Sequence, residues 1–457
     1  MTSLSKSKET PLPSTKNALN EKKTKTKNPK KFLFVSLSAL IGDIAWSIKK
    51  EGHEVRYFIE EESEKEIADG FVPKVDNWEK HVSWADVIVF DDVLGQGKKA
   101  QKLRKEGKAV VGGTSYTDEL EDDRSFGQAE MKKYGIKILP YKEFYFFDDA
   151  IEYVKKNPGK YVIKPSGEAQ NIKRLLFVGK EDDGSDVIRV LMAYRNTWQE
   201  EVKVFQLQKK VNSGVEVAVG AFFNGQEFIM PLNINFEHKK LFPGELGVAT
   251  GEMGTSMFWS GPNKIYNETL KKMEPKLKEE GYVGYIDINC IVNGNGIYPL
   301  EFTSRFGYPT ISIQNDGMID LMGDFFYGLA TGTIKTFKTK SGFQIGARIV
   351  VPPFPYKDPK TFDSFSRDAA IIFKKPTEEG IHIEDVKLVN NEWLITGGSG
   401  VALIVSGTGK TMKEAQKQMY SRIQNIMIPN MYYRTDIGDR WFDDSDKLHV
   451  WGYLREA

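Results

Sequence analysis

Residues 285–309 read YIDINCIVNGNGIYPLEFTSRFGYP. Two apolar runs flank an NGNG turn, and NG turns between such runs are strong signals of a β-hairpin. Because alternate residues of a strand share a face, Asp287 and Asn289 point the same way. Glu301 and Thr303 share a face of the second strand for the same reason. The hairpin is therefore expected to bring four oxygen-bearing side chains together.

Two interpretations of this polar face follow from the residues. Converging oxygens suit Mg²⁺ held between protein carboxylates and nucleotide phosphates. The alternative is an ordinary hairpin with one solvated face. Arg305 lies two residues beyond Thr303 and favours the first interpretation, because a guanidinium binds anionic oxygens in a bidentate manner.

The composition of the chain limits the class of protein. It has 457 residues, of which 40% are hydrophobic and 28% charged, which excludes a fully disordered protein and predicts two to four domains. It contains no apolar run of about 18 residues and no apolar N-terminal signal, so neither a membrane span nor a secretory signal is expected. A single cysteine, Cys290, predicts a reducing, cytoplasmic compartment, and one Cys with five His argues against structural zinc.

Charge is unevenly distributed along the chain. The sequence holds 64 Lys and Arg against 63 Asp and Glu, a net charge of +1. Residues 1–31 hold nine Lys and two Glu, a net of +7, so the remaining chain carries about −6. We expect 1–31 to be a disordered basic tail, either a weak anion tether or a solvated extension. The acidic body gives no support for a dedicated nucleic-acid-binding domain.

The first part of the chain alternates strand-type and helix-type patterns, which predicts a parallel sheet with helices on its faces. The predicted strands are 31–36, 53–59, 85–90 and 109–113, and the predicted helices are 39–50 and 96–107.

The rest of the chain continues as α/β and then becomes rich in strands. Helices are predicted at 125–134, 148–157, 264–280 and 412–427, and strands at 136–139, 160–164 and 174–178. Strands dominate 202–301 and are also predicted at 346–351, 381–388, 392–396 and 401–406.

Two further segments carry candidate chemistry. PSGEAQNIK at 165–173 follows Lys164 and ends in Lys173, which suits a loop that covers phosphates, although a hairpin with solvated lysines is the alternative. EHKKLFPGELGVATGEMG at 237–254 has no apolar period and predicts a long loop, either functional or disordered. His238 lies within this segment and serves either as a structural hydrogen-bonding group or as part of a functional site.

Four segments, in this order and spacing, resemble the ATP-grasp ligases and, within them, the phosphoribosylamine–glycine ligase (glycinamide ribonucleotide synthetase) family. They are VIKPSGEAQNIK at 162–173, the segment 237–254, PLEFTSRFGYP at 299–309, and the run from VALIVSGTGK at 401 to YYRTDIGDR at 440. The resemblance covers roughly residues 120–457.

The resemblance implies an ATP-grasp fold of the α/β class in three parts. These are an N-terminal parallel-sheet (pre-ATP-grasp) domain at 32–120, an ATP-grasp domain at 121–335 with a nucleotide lid at about 135–200, and a C-terminal α+β domain at 336–457. It also implies a reaction in which ATP phosphorylates a carboxylate and an amine then attacks the acyl phosphate, giving an amide, ADP and phosphate. The implied cofactors are ATP and Mg²⁺ (or Mn²⁺). The expected partners are a glycine-like carboxylate and an amine as small-molecule substrates, with no membrane; a monomer and a homo-oligomer both stay open.

The resemblance also assigns roles to individual residues. The residues implied to bind the nucleotide are Arg124, Lys164, Lys173, Leu207 and Glu216. Those implied to hold the metal are Asp287, Glu301 and Thr303. Those implied to act in catalysis are Arg305, Lys239 and Lys240. Those implied to contact substrates are His238, Gly251 and Gly254.

Departures from the family pattern cluster on the side of the amine substrate. SLSALIGDIA at 36–45 replaces the family's GxGGREHA-type phosphate loop, Tyr308 replaces the acid of its RFGDP motif, and GVATGE at 247–252 replaces GPNTGG. Thr303 stands where the family has Asn. These changes predict an altered amine, such as another nucleotide-like amine, with a non-catalytic nucleotide-binding paralogue as the alternative.

Overall fold

A computed structural model describes residues 25–166, 169 and 175–454. Most of the predicted tail, residues 1–24, and Lys173 in the predicted phosphate-covering loop lie outside the described residues. In the described part, no helix is both long enough and apolar enough to cross a membrane.

The N-terminal part is a parallel sheet in the order β2-β1-β3-β4, with helices packed beside it, as predicted. Its elements are β1 (Lys31–Ser36), α1 (Gly42–Lys50), β2 (Glu54–Ile59), β3 (Val87–Phe90), α2 (Gln96–Lys105), β4 (Val110–Val111) and α3 (Ser115–Asp122). Successive residues of β1 enter different cores: Phe32 and Phe34 pack into one, and Leu33 and Val35 into another. Burial on both faces explains the continuous apolar run of this strand.

A second, smaller sheet is antiparallel, in the order β5-β8-β6-β7. Its elements, with the helices around it, are α4 (Arg124–Lys133), β5 (Tyr141–Phe144), α5 (Phe147–Lys156), β6 (Tyr161–Pro165), β7 (Phe177–Val178), α6 (Ser185–Trp198) and β8 (Phe205–Lys209). The predicted strand at 136–139 is wrong, because Ile136 and Leu139 are buried by packing and strand pairing starts only at Tyr141. In the predicted strand 174–178, Phe177–Val178 pairs with β6 and Leu175 and Leu176 do not, while Arg174 lies outside the described residues.

The largest sheet has eight antiparallel strands in the order β13-β12-β9-β10-β11-β14-β19-β16. The remaining elements of the chain begin with β9 (Val215–Asn224), β10 (Phe228–Phe242), β11 (Leu246–Ser260), α7 (Lys264–Glu268), α8 (Leu270–Glu280), β12 (Val283–Asn293), β13 (Gly296–Thr303), α9 (Thr310–Gly317) and α10 (Met322–Ala330). They continue with β14 (Phe343–Val350), α11 (Pro359–Phe365), β15 (Ile372–Phe373), β16 (Ile381–Ile383), β17 (Val386–Val389), β18 (Glu392–Ile395), β19 (Val401–Gly409), α12 (Met412–Ile423), β20 (Ile426–Met427) and α13 (Arg440–Val450).

The predicted long loop at 237–254 is wrong. These residues form the end of β10 and the start of β11, which are joined by a short turn at Pro243–Glu245. The strand pairing shifts register between His238 and Lys240, and the side chains of this region are largely polar. An apolar alternation is therefore missing, which is why the sequence pattern did not reveal two strands.

Two predicted helices differ in extent from those observed. The predicted helix at 264–280 breaks at Thr269, whose backbone leaves the helical region and whose hydroxyl donates to the Ile265 carbonyl at 2.6 Å. The predicted helix at 412–427 ends at Ile423, and the short strand β20 follows it. The domain boundaries at 120 and 335, and the limits of the lid, stay predictions.

Candidate active site

The β12–β13 hairpin forms as predicted, and its register places the four oxygen-bearing side chains on one face. Asp287 lies opposite Thr303, and Asn289 lies opposite Glu301. On the other side, Asp287 lies opposite Gly220 of β9. A Cβ atom at Gly220 would lie 2.8 Å from the Cβ of Asp287, so glycine at this position allows the carboxylate to occupy the middle of the sheet face.

Asp287 is a buried carboxylate with unused hydrogen-bonding capacity. It is 3% exposed, and its Oδ1 has no hydrogen-bond partner among the described residues. The Oδ1 of Asn289 is also buried without a partner in this part of the chain. Burial, followed by the charge of Glu237, raises the pKa of Asp287 well above its usual range. Such orphaned oxygens fit a bound cation.

Among the described residues, the carboxylates of this face would supply part of the coordination of a metal ion. Within the described ranges, no group of three or more His, Cys, Asp or Glu side chains is arranged to hold one. A cation at Asp287 and Glu301 would therefore take further oxygens from bound phosphates or water, which is the usual arrangement for Mg²⁺. The donors present fit that ion.

Positively charged groups from distant parts of the chain lie beside Glu301. The Nη1 of Arg124 lies 3.7 Å from the Oε2 of Glu301. Lys164 is buried, and burial, followed by the charge of Arg124, lowers its pKa to about 7. The structure thus places together one predicted metal ligand and two predicted nucleotide-binding residues.

Lys239 is held between two carboxylates. Its Nζ lies 2.9 Å from Glu216 Oε1 and 3.0 Å from Glu237 Oε2. Glu237 Oε2 also accepts a hydrogen bond from Asn289 at 3.0 Å. Burial opposes the charged lysine, but the nearby carboxylates, Glu216 first, raise the pKa of Lys239 well above its usual range. Lys239 therefore stays protonated and joins Glu216 to the polar face of the hairpin.

Arg305 is positioned by residues of the N-terminal part. Its Nε donates to Glu121 Oε1 at 3.1 Å, and its Nη1 donates to the Phe306 carbonyl at 2.8 Å. Asp92, which follows β3, lies 3.8 Å from the same Nε. Burial opposes its charge, but Glu121 and Asp92 raise the pKa of Arg305. Sequence reasoning missed both carboxylates, although the acidic pair directly after a buried strand was a usable signal for Asp92.

Four other predicted residues lie outside this cluster of side chains. The buried His238 accepts a hydrogen bond from the Gly438 amide at 3.4 Å, and burial, followed by the charge of Arg440, lowers its pKa to about 3. Lys240 lies on the same strand, and its backbone carbonyl accepts a hydrogen bond from Arg434. Gly254, on the paired strand β11, packs against Gly346, and Gly251 of β11 is exposed. Their roles toward a substrate stay predictions.

Leu207 is buried in β8, where it lies opposite Lys142 and Ile163. Its side chain belongs to the apolar core of the smaller sheet. Leu207 is adjacent to Gln206, which pairs with the predicted nucleotide-binding residue Lys164, so its position suits the predicted hinge beside the nucleotide. That role stays a prediction.

Glu252 is a site residue that sequence reasoning missed. It is 5% exposed, and its Oε1 has no partner in the described part of the chain. Burial, followed by the charge of Glu237, raises its pKa well above the usual range. The strand pairing shifts register here: His238 pairs with Gly254, but Lys240 pairs with Ala249. Glu252 lies among the extra residues of β11 between these two pairs. No local pattern marks such a bulge.

Two families match successive parts of the chain. Residues 122–311 match the phosphoribosylglycinamide synthetase ATP-grasp (A) domain, and residues 363–440 match the phosphoribosylglycinamide synthetase C domain. Curated relatives include the phosphoribosylamine–glycine ligase of Lactococcus lactis, 26% identical over 72% of this chain and 78% of the relative. The enzyme of the same name from Thermotoga maritima is 24% identical over 86% of this chain and 95% of its own.

Solved structures show the same fold. Phosphoribosylamine–glycine ligase from Thermotoga maritima is 21% identical and superposes with a TM-score of 0.66, covering 89% of this chain and all of that chain. The biotin carboxylase domain of 2-oxoglutarate carboxylase from Hydrogenobacter thermophilus, solved with MgADP, is 14% identical with a TM-score of 0.61, covering 93% and 99%. The predicted α/β ATP-grasp architecture is thereby confirmed. The chain therefore belongs to the ATP-grasp ligases and resembles phosphoribosylamine–glycine ligase across its ATP-grasp and C domains.

Proposed function

We propose that the protein joins a small, glycine-like carboxylate to an amine in an ADP-forming reaction that passes through an acyl phosphate. One observation carries this proposal: the buried carboxylate of Asp287, whose Oδ1 has no partner among the described residues, lies on one sheet face with Glu301, which contacts Arg124. The names of the relatives support a carboxylate such as glycine.

The residues divide into a nucleotide side and a substrate side. Arg124 and Lys164 supply positive charge near Glu301 and would contact the phosphates of ATP. Asp287, Glu301 and Thr303 would hold Mg²⁺. When bound, the metal neutralises phosphate oxygens and so favours transfer of the phosphoryl group.

Phosphorylation solves a specific chemical problem. An amine does not displace the oxygen of a carboxylate in water, but it displaces phosphate from an acyl phosphate. Arg305 is fixed by Glu121 and would bind the substrate carboxylate and then the acyl phosphate through its guanidinium. Lys239 is fixed between Glu216 and Glu237 and would add a constant positive charge beside the phosphoryl group.

Trapping the intermediate tests this function without knowledge of the natural amine. Hydroxylamine converts acyl phosphates to hydroxamates, which are measured by their colour with ferric iron. We expect hydroxamate to form from glycine, or from another small carboxylate, only when ATP and Mg²⁺ are both present. Absence of hydroxamate across a panel of small carboxylates would contradict the proposed reaction.

The buried, unpaired Cys290 supports a reducing, cytoplasmic compartment for this ligase.

A further inference from the structure

One face of the large sheet carries a row of buried polar side chains next to the candidate active site. Asn235 of β10 lies opposite Met257 of β11, which lies opposite Gln344 of β14. Thr255 is two residues before Met257 and so shares its face, and Trp259 is two residues after it. We call the set Asn235, Glu252, Thr255, Trp259 and Gln344 the polar seam.

The polar seam is rich in hydrogen-bonding atoms without partners. Gln344 is completely buried, and neither its amide nitrogen nor its amide oxygen has a partner among the residues described. The Oγ1 of Thr255 and the Oδ1 of Asn235 are also unpartnered there, in side chains that are 0% and 1% exposed. Leaving such a group unsatisfied costs about 1–3 kcal/mol, so buried polar atoms are normally satisfied by a ligand or by water.

Helix α9 covers the end of the polar seam formed by Trp259 and Gln344. A Cβ atom at Gly317, in this helix, would lie 2.8 Å from the Nε1 of Trp259 and 3.0 Å from the Cδ of Gln344. The indole N–H and the carboxamide therefore meet at one place beneath the helix. The Trp259 Nε1 is likewise buried without a partner in the described residues. Glycine at 317 leaves room for these polar groups, where any larger side chain would displace them.

Glu252 lies at the end of the polar seam that is close to the catalytic carboxylates. Its charge interacts with those of Glu237, Lys239 and Asp287. Arg348 is already engaged, because its Nη1 donates to the Glu252 carbonyl at 3.1 Å and its Nη2 donates to Glu384 at 2.9 Å. The polar seam therefore presents a carboxylate at its catalytic end and uncharged donors and acceptors beyond it.

We propose that the polar seam is the subsite for the amine substrate of the ligase, and this inference rests on the proposed function. Glu252 binds the ammonium group, and Asn235, Thr255 and Gln344 hydrogen-bond an uncharged polar body attached to it. Glu252, Thr255 and Met257, the residue opposite Gln344, follow one another along β11, so contacts with the attached body would run along that strand.

The chemistry of the polar seam selects the class of amine. Carboxamides offer a donor and an acceptor side by side, and they match hydroxyl or amide groups of a ligand. A site built from such groups rejects an apolar analogue, because its own polar atoms would stay unpaired. A phosphate group is disfavoured, because Arg348 is already paired with Glu384 and the five residues of the polar seam include no cationic side chain.

Three probe amines test the substrate class: glucosamine, cyclohexylmethylamine and glucosamine 6-phosphate. Amine-dependent ADP release is measured with ATP, Mg²⁺ and the carboxylate that gives hydroxamate. We expect kcat/KM for glucosamine to exceed that for each of the other two by about tenfold or more. Equal or greater values for either comparator would overturn the proposal, as would hydroxamate formation without acceleration by any probe. Absence of hydroxamate would instead count against the proposed function.

The variant Gln344→Leu tests the polar seam itself. We expect the ratio of amine ligation to hydroxamate synthesis to fall about tenfold, because the carboxamide no longer binds the amine body. The matched control is Gln226→Leu, in the exposed turn between β9 and β10, which should leave the ratio unchanged. Thermal melting establishes that both variants fold. An unchanged ratio in Gln344→Leu would refute the amine subsite. A crystal structure of the parent protein with the amine that shows only ordered water beside Gln344 would refute it as well.

Discussion

The Nε of Arg305 and the Oε1 of Glu121 are 3.1 Å apart, which joins the loop after β13 to the end of α3. The second oxygen of Glu121 accepts the Ser304 amide at 2.7 Å. One carboxylate therefore orients both the guanidinium and the backbone that carries it. Sequence proximity gives no hint of this pair, because the two residues are 184 positions apart.

The variant Glu121→Gln should reduce ligase activity while leaving the fold intact. Loss of the charged hydrogen bond frees Arg305 to move, and we expect kcat/KM to fall about tenfold or more. The measurement is ATP-dependent hydroxamate synthesis, with thermal melting as the test of folding. Glu119→Gln, on the exposed face of the same helix, is the matched control. Parental activity in Glu121→Gln would mean that Arg305 needs no such positioning.

The variant Glu301→Gln separates catalysis from nucleotide binding. A neutral amide is a weaker metal ligand, so we expect the rate of hydroxamate synthesis to fall about a hundredfold. Affinity for ATP should change much less, because Arg124 and Lys164 remain. Activity and calorimetric binding of ATP are measured side by side, with Glu227→Gln in the exposed β9–β10 turn as control. Equal losses in rate and affinity would count against a catalytic metal at this carboxylate.

Binding of ATP should be coupled to protonation of Lys164. Its pKa is lowered to about 7, first by burial and then by Arg124, so a large fraction of the free protein holds it neutral at about pH 8. Phosphates raise this pKa, and binding therefore takes up a proton. Calorimetric titrations in two buffers of different ionisation enthalpy measure the uptake. We expect proton uptake to disappear in Lys164→Met. It should persist in the control Lys209→Met, on the neighbouring strand β8. Uptake that is unaffected in Lys164→Met would show that another group takes up the proton.

His382 joins three parts of the fold through two carboxylates. Its Nδ1 lies 2.9 Å from Asp43 of α1, and its Nε2 lies 3.1 Å from Asp316 of α9. Ser406 of β19 lies 3.2 Å from the same Nε2 and also donates to Asp316. Burial would lower the pKa of the imidazole, but Asp43 and Asp316 raise it from 6.5 to about 10. Burial lowers the pKa of the nearby Lys50, and the charges of Asp43 and Asp316 oppose that shift.

Stability of this junction should decline at alkaline pH. Because the folded-state pKa of His382 is raised, its stabilising contribution is complete below 6.5 and is lost as the pH rises through about 10. We expect His382→Asn to lower the free energy of unfolding by about 2–4 kcal/mol at neutral pH. The decrease should be much smaller near pH 10, where the imidazole of the parent protein loses its charge. Urea unfolding at both pH values measures this difference. His449→Asn, exposed on α13, should show no such dependence, and a deficit in His382→Asn that is the same at both pH values would contradict the charged pair.

Gly254 should prove necessary for packing of the sheet. A Cβ atom there would lie 2.5 Å from the Gly346 carbonyl and 2.9 Å from Ile437, so Gly254→Ala should lower the free energy of unfolding by about 1–3 kcal/mol. The control is Gly261→Ala, just beyond β11, where an added Cβ atom meets no heavy atom of the described residues within 4 Å. Urea unfolding compares the two variants. Normal stability with weakened substrate binding in Gly254→Ala would instead favour the substrate contact predicted from the sequence.

The sequence predicted those features that depend on local periodicity. The alternation of strands and helices before residue 120 predicted the parallel sheet, and the NGNG turn predicted the hairpin that brings Asp287 and Thr303 to one face. Both follow from side chains that alternate along a strand and from turn residues at short range. The same approach failed at 237–254, where polar side chains replace the apolar alternation on which strand prediction relies.

Tertiary structure alone brought together the residues that act on one another across the chain. Lys239 meets Glu216 because β10 pairs with β9, and Arg305 meets Glu121 because the end of α3 packs against β13. The bulge that buries Glu252 beside Glu237, and the helix that covers Gln344, also depend on long-range packing. These relationships are set by the register and packing of distant segments, which local sequence patterns do not encode.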